Sequence, residues 1–240
     1  MPEECPADLV EFKLRAKNQP HFDAHCCGDD PLEGPHPTMY VPAAFRVEDR
    51  ETLFDFIEAH GFATVVTSCD GAPFASHLPL LLDRERGVLQ GHLARANPHW
   101  QAFGSDTETL VLFHGSHAYI SPTWYATTPA VPTWNYAAVH AYGVPQVVSD
   151  PEWLIGLLDR LVQKYEAGQA NPWRNELPTD FRERLLTAIV GFEVPISRIE
   201  GKFKLGQNRS QADQDGMLTH LDAGAPADRA LAALARCARG

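Results

Sequence analysis

Trp134, Tyr136, His140 and Tyr142 fall on even positions within nine residues. In a β-strand they share one face, and Asn135, Ala137, Val139 and Ala141 share the other. A row of flat rings backed by small side chains lets a planar molecule or another backbone come close. The plainer expectation for such a strand is ordinary core beneath a helix. Residues 114–125 repeat the composition, with His114, His117, Tyr119, Trp124 and Tyr125, and His114 and His117 are expected to flank a Gly-Ser turn. Two neighbouring ring-rich strands tilt the reading toward a pocket wall.

Anion chemistry has two candidate places. In residues 91–100 a strand is expected to end after His92, Arg95 follows, and a helix opens at Asn97-Pro98. Hydroxyls, backbone amides and an arginine at a helix start can hold a phosphate without a glycine loop, and an ordinary strand-to-helix link explains the stretch equally well. The second place is residues 202–210, where Lys202 and Lys204 alternate with Phe203 and Leu205 and Arg209 precedes a helix at Ser210. Its plain reading is a solvated capping turn. His77, His92, His114, His117 and His140 could ligate a metal or haem, but buried imidazoles are more often satisfied by hydrogen bonds. His21, His25, Cys26 and Cys27 are soft-metal ligand types in a stretch that reads as a solvated tail.

The sequence has no G-x-G-x-x-G, Walker loop, H-E-x-x-H or G-x-S-x-G, so the usual dinucleotide, metalloprotease and esterase signatures are missing. The five cysteines form no C-x-x-C pair, which argues against a disulfide framework or a structural zinc site. No apolar run reaches the ~18 residues of a membrane helix, and a cytoplasmic location is the default expectation. Net charge is −11. Residues 1–38 hold 3 basic and 8 acidic groups of the totals 20 and 31, leaving 17 and 23 for the rest. Both parts are acidic, which disfavours generic binding to phosphate backbones.

The elements that must position these residues follow from period and punctuation. A helix is expected over 48–60 with Gly61 at its C′ position. Strands are expected over 62–68, 74–82 and 88–94, the first two joined by Asp70-Gly71. A short helix follows Asn97, and a strand covers 109–114. One long strand runs over 134–148, and Asp150-Pro151 opens an amphipathic helix with Trp153, Leu154, Leu157, Leu158, Leu161, Val162 and Tyr165 on its buried side. A helix is expected from Thr179 or Asp180, a single strand over 189–204 bent at Pro195, and helices from Ser210 and Pro226. Residues 1–38 read as a flexible extension, 39–222 as one domain, and 223–240 as a C-terminal helix and tail. The order suits an α+β fold, a split antiparallel β-barrel with surrounding helices.

The segments Met39-Tyr-Val-Pro42, Ser76-His-Leu-Pro79, Gly91-His-Leu-Ala94 with Asn97-Pro98, residues 117–125, residues 131–136, Val139-His-Ala-Tyr-Gly143, and Lys202-Phe-Lys-Leu205 with Gln207-Asn-Arg-Ser210 resemble the PaiB-type FMN-binding negative transcriptional regulators. The resemblance spans about residues 39–222. Gly206 departs from it, standing where the family carries serine. The resemblance implies an FMN-binding split barrel that dimerises with flavin at the interface, and DNA as a partner that the charge does not support. The same barrel also serves flavin-dependent oxidoreductases and haem proteins, and fold does not settle among these. With FMN as ligand, the candidate phosphate contacts are Arg95 and Asn97, with Lys202, Lys204 and Arg209 as a second cluster. The candidate ring contacts are Ser76, His77, Leu78 and Pro79, with Trp134, Asn135 and Tyr136; His92 adjoins the first group. The small-residue face of the ring-rich strand is expected to meet the partner of a homodimer.

Overall fold

The computed structural model describes residues 39–239 apart from 105 and 175. The extension 1–38, with His21, His25, Cys26 and Cys27, lies outside the described residues. In chain order the elements are β1 (Arg46–Val47), α1 (Arg50–Ala59), β2 (Phe62–Cys69), β3 (Ala72–Asp83), β4 (Val88–Ala94), β5 (Thr109–Ile120), β6 (Thr133–Gly143), β7 (Gln146–Val148), α2 (Pro151–Glu166), α3 (Thr179–Thr187), β8 (Ile189–Pro195), β9 (Arg198–Lys204), α4 (Gln211–Asp222) and α5 (Pro226–Cys237). The nine strands hydrogen-bond in the order β1-β9-β6-β5-β2-β3-β4-β8-β7. Every pairing whose register is described is antiparallel, so the α+β class expected from the sequence holds. The chain divides into two compact units: one of residues 48–115 and 138–201, the other of residues up to Val47 with 116–137 and 202–240.

In the first unit, Asp49 caps α1 by accepting from the Thr52 amide at 2.9 Å and its hydroxyl at 2.7 Å, as expected of an N-cap aspartate. Gly61 follows the helix but keeps an ordinary negative φ. Its smallness serves packing instead, because a Cβ there would stand 3.0 Å from the Leu80 carbonyl and the Tyr165 hydroxyl. Asp70 (φ 51°) and Gly71 (φ 80°) both take positive φ. That is the signature of the two-residue turn whose twist matches a hairpin, and it sets the β2–β3 register from Phe62↔Pro79 to Cys69↔Ala72.

α2 is capped by Asp150 and buries Leu154, Leu157 and Leu161 against Leu81, Leu186 and Ile189. Each fully buried leucine contributes about 1.5–3 kcal/mol. Trp153 lies over Gly191, where a Cβ would come within 2.6 Å of the indole. Tyr165 does not share this buried side and is 47% exposed. Arg84, in the turn after β3, reaches across to α1 and binds Glu51, Asp55 and Glu58 at 2.6–2.7 Å. Those carboxylates share one helix face at i, i+4 and i+7.

In the second unit, Ser210 caps α4. The buried Asp213 accepts from the Thr127 amide at 2.9 Å and its hydroxyl at 2.6 Å, which holds its carboxyl below the usual range. Trp124 stacks on His220 with ring centroids 4.9 Å apart. α5 buries Leu231, Ala232 and Ala235.

Four expectations are corrected. Gly115 and Ser116 lie inside β5, which runs unbroken from Thr109 to Ile120, so His114 and His117 do not flank a turn. The strand expected over 134–148 ends at Gly143 and resumes as β7, because Pro145 has no amide hydrogen to continue a ladder. The single bent strand over 189–204 is two strands, β8 between β4 and β7, and β9 between β1 and β6. The helix at Asn97 is one 3-10 segment, Pro98–Ala102.

Candidate functional site

The residues singled out in the sequence fall in both compact units. In the unit of 48–115 and 138–201, β3 carries Ser76, His77, Leu78 and Pro79. β2 pairs with one edge of this stretch, and β4 joins the other edge only from Leu80 onward. Among the described residues no strand pairs with the edge over 72–79 that faces away from β2, and its backbone groups can serve a polar ligand. Pro79, lacking an amide hydrogen, is tolerated at such a place.

Side chains alternate along this stretch. Ser76 and Leu78 are buried, while His77 is exposed and half-buried Pro79 stands opposite the 68% exposed Phe62. His77 Nδ1 pairs with the Thr64 hydroxyl at 3.0 Å. The Ser76 hydroxyl accepts from Asn97 Nδ2 at 3.0 Å and pairs with His99 Nδ1 at 2.8 Å. Asn97 Oδ1 meanwhile accepts from the His99 amide at 3.1 Å. Asn97 thus caps the 3-10 segment and locks it to β3. His99 is solvent-inaccessible between Phe74 and Phe103, and its Nε2 has no hydrogen-bond partner among the described residues. His99 carries no motif of its own in the sequence; it sits two residues from Asn97, and the cap there is the one local signal that points to it.

Arg95 is committed differently from expectation. Its Nε donates to the Thr187 carbonyl at 2.8 Å and a terminal nitrogen donates to the Ile189 carbonyl at 2.9 Å. The Thr187 carbonyl is an orphan at the end of α3, where a cation also meets the negative end of the helix dipole, and Ile189 is the first residue of β8. His92, on β4 opposite Gly191, is half-buried with Nδ1 unpartnered.

Burial pushes His60, His92 and His99 below the ordinary imidazole value. Each is neutral in the fold and titrates freely once unfolded, so the stability they support is complete above about pH 6.5 and is lost as pH falls below it. Urea unfolding midpoints are expected to fall steadily from pH 7 to 5, above the range where Glu193 and Asp213, both held low by hydrogen bonds, protonate. A midpoint that is flat or rising over that window would contradict this assignment.

In the other unit, the face of β6 is inverted relative to expectation. Asn135 and Ala137 are buried, whereas Trp134 is 55% exposed and Tyr136 half-buried. Further along β6, Val139 and Ala141 are also buried. The small side chains belong to the core; on the opposite face Trp134 is exposed and Tyr136 and His140 are half-buried, while Tyr142 is buried. Trp134 packs beside His117 and Tyr119, and Tyr119 is itself 45% exposed. Asn135 Nδ2 donates to Met217 Sδ at 3.1 Å.

Lys202 and Lys204 share a face, as the alternation with buried Phe203 and Leu205 requires. The Lys202 ammonium donates to the Tyr40 carbonyl at 2.9 Å and lies 5.5 Å from the Tyr136 ring centroid. Lys204 donates to the Thr133 hydroxyl. Arg209 lies with its guanidinium carbon 4.4 Å from the Tyr125 ring centroid. Its fork has no hydrogen-bond acceptor among the described residues. Gly206, which starts this turn, has φ 89°, a conformation that favours glycine.

Among the described residues no group of three metal-ligating side chains occurs, and no helix is long and apolar enough to cross a membrane.

The fold is shared with solved structures. A FAD- and haem-binding protein from Mycobacterium smegmatis superimposes with a TM-score of 0.53 at 19% identity over 66% of this chain and 73% of that one. The flavocytochrome Anf3 from Azotobacter vinelandii gives 0.53 at 17% over 66% and 69%. In sequence, the chain is 38% identical over 187 residues to the protease synthase and sporulation protein PAI 2 of Bacillus subtilis, covering 76% of this chain and 89% of that protein. It is 33% identical over 187 residues to an uncharacterised protein of Emericella nidulans, covering 62% and 74%. Residues 39–198 match the family described as "Putative FMN-binding domain". With that match over most of the described residues, the chain belongs to this FMN-binding domain family, and through the B. subtilis relative it is similar to the PaiB-type proteins.

Proposed function

We propose that the protein is an FMN-binding split-barrel protein that works as a homodimeric flavin-dependent sensor or regulator. Beyond family membership, the observation that carries the reading is Arg209. A guanidinium held on a tyrosine ring with its fork uncommitted, on a unit that also carries Lys202, Lys204 and the outward rings of Trp134 and Tyr136, suits a molecule with a phosphate and a flat ring system. In the other unit, Ser76 to Pro79 on the open edge of β3 are a separate candidate for a flavin's polar rim. FMN, when bound, supplies reversible electron uptake. The outward rings, rather than the buried small face of β6, are then the surface for a second subunit, and its interface should exceed the ~800 Å² of crystal contacts.

The test is purification followed by an absorbance spectrum, a flavin titration, light scattering and NAD(P)H oxidation with added FMN. One FMN per chain, a mass twice the 26.6 kDa of the chain and no turnover are expected. A monomer with flavin bound refutes the dimer, and rapid turnover makes the protein an oxidoreductase. A haem protein is the reading favoured by the names of the two solved relatives and by the unpartnered His92 Nδ1; a Soret band would replace FMN with haem. The label of a negative regulator brings DNA as a partner, and the net charge of −11 weighs against direct contact.

A further inference from the structure

We propose that the cleft between the β3–β4 turn and α2 is a second ligand site, for a small molecule carrying a dianionic oxyanion group, either a phosphate ester or a polycarboxylate. The cleft measures about 770 Å³ and shares no residue with the flavin contacts named above.

Four cations line it: Arg84, Arg86, Arg160 and Lys164. Two are spent. Arg84 is held by three carboxylates of α1. Arg86 makes two parallel 2.8 Å bonds to Glu193, with Asp83 at 3.6 Å. Arg160 and Lys164, one helical turn apart on α2, have no carboxylate partner among the described residues. Arg160 donates to Gln90 Oε1 at 2.7 Å, and Lys164 donates to the Glu58 backbone carbonyl at 2.8 Å.

Arg160 is nonetheless fixed. Gln90 is only 6% exposed, and its Nε2 donates to Glu193 Oε1 at 2.7 Å. That bond orients the amide so that its oxygen faces Arg160. A buried relay rooted in the Arg86–Glu193 pair therefore presents an exposed guanidinium in one place. Like charges at i, i+4 repel, and burial lowers the Lys164 ammonium from its ordinary value, offset in part by the nearby Glu58 charge.

Of the lining carboxylates, Glu58 is bound by Arg84 and Asp83 by Arg86, which leaves Glu85 exposed at the rim. A dianion between Arg160 and Lys164 would remove the repulsion, taking the planar fork on one side and the compact ammonium on the other. Leu81, Leu82 and Trp153 provide an apolar wall for its carbon part.

The experiment is calorimetry on the full chain saturated with FMN, titrated with pyrophosphate and separately with citrate at ionic strength held constant with chloride. One saturable site per chain is expected, weakened about tenfold or more in both Arg160→Gln and Lys164→Gln, with the flavin spectrum unchanged. Tighter binding of pyrophosphate identifies a phosphate ester, and tighter binding of citrate a polycarboxylate. Arg160 is exposed, so its variant tests the site even where Lys164→Gln loosens α1. Absence of saturable binding by either anion, affinity unaltered in Arg160→Gln, or release of flavin by the anion would each overturn the proposal. Should the chain bind no flavin, the same titration without it still reads this cleft.

Discussion

Replacing Arg209 with alanine is expected to weaken FMN binding roughly ten- to a hundredfold and to leave riboflavin affinity nearly unchanged. The flavin phosphate is a dianion near neutral pH, and a charge-assisted bond to it is worth about 1.5–3 kcal/mol. Arg209 can supply such a bond at little reorganisation cost. The Tyr125 ring already holds its guanidinium at 4.4 Å, and no other acceptor among the described residues competes for its donors. Riboflavin lacks the phosphate and so does not feel the change.

Arg95→Ala is the matched contrast. Two of its donors satisfy the carbonyls of Thr187 and Ile189. Its loss should lower the melting temperature and weaken both ligands equally, through the fold. Fluorescence titration with the two flavins separates the cases. Equal losses for both ligands in Arg209→Ala would mean that it acts by packing on Tyr125. Selective loss of FMN in Arg95→Ala would instead make Arg95 the phosphate anchor.

The reason for this division of roles was only half visible in the sequence. The type and spacing of Arg95, Lys202, Lys204 and Arg209 marked them as cations near helix starts. What decides their use is long-range: α3 ends 92 residues after Arg95, and no local pattern says that the carbonyls of Thr187 and Ile189 meet that guanidinium. Local signals carried further. Asp70-Gly71 gave its hairpin, Asp150-Pro151 its helix, and Asn97 its cap, because turn and cap chemistry is complete within four residues.

Alternation told which residues of β6 share a face but not which face is inside. The core took Asn135, Ala137, Val139 and Ala141, left Trp134 exposed, and still buried Tyr142 at the far end of the ring face. Residues 189–204 alternate as a single strand would; the break at Ile196-Ser197 appears only once β8 pairs with β4 and β9 lies beside β6. The Gly115-Ser116 pair reads as a turn by composition, yet a Cβ at Gly115 would stand 2.9 Å from the Phe56 ring. The glycine serves close packing against α1 within an extended strand.

Gly216→Ala is expected to lower the melting temperature by about 4–8 °C, against the trend for a glycine inside a helix. By propensity alone the substitution in α4 should stabilise by about 1 kcal/mol. The structure opposes it, because a Cβ at Gly216 would lie 2.1 Å from the carbonyl oxygen of Trp124. That oxygen is backbone and cannot rotate away, so either α4 or the Trp124 segment must move. α4 is held to that segment on both sides of the glycine: Asp213 binds Thr127, and His220 stacks on Trp124. Overpacking of this kind costs about 1–3 kcal/mol and occasionally more. A backbone clash between two anchored elements belongs at the upper end, about 3 kcal/mol, which less the propensity gain of about 1 kcal/mol leaves a net loss of about 2 kcal/mol, and at this chain length each kcal/mol is about 2–4 °C.

The same displacement would carry Tyr125, next in the chain to Trp124, away from Arg209. Flavin affinity should therefore fall along with stability, for FMN more than for riboflavin. A melting temperature at or above that of the unsubstituted protein would show that α4 does not approach Trp124 this closely. A lowered one with FMN affinity intact would separate the helix contact from the placing of Arg209.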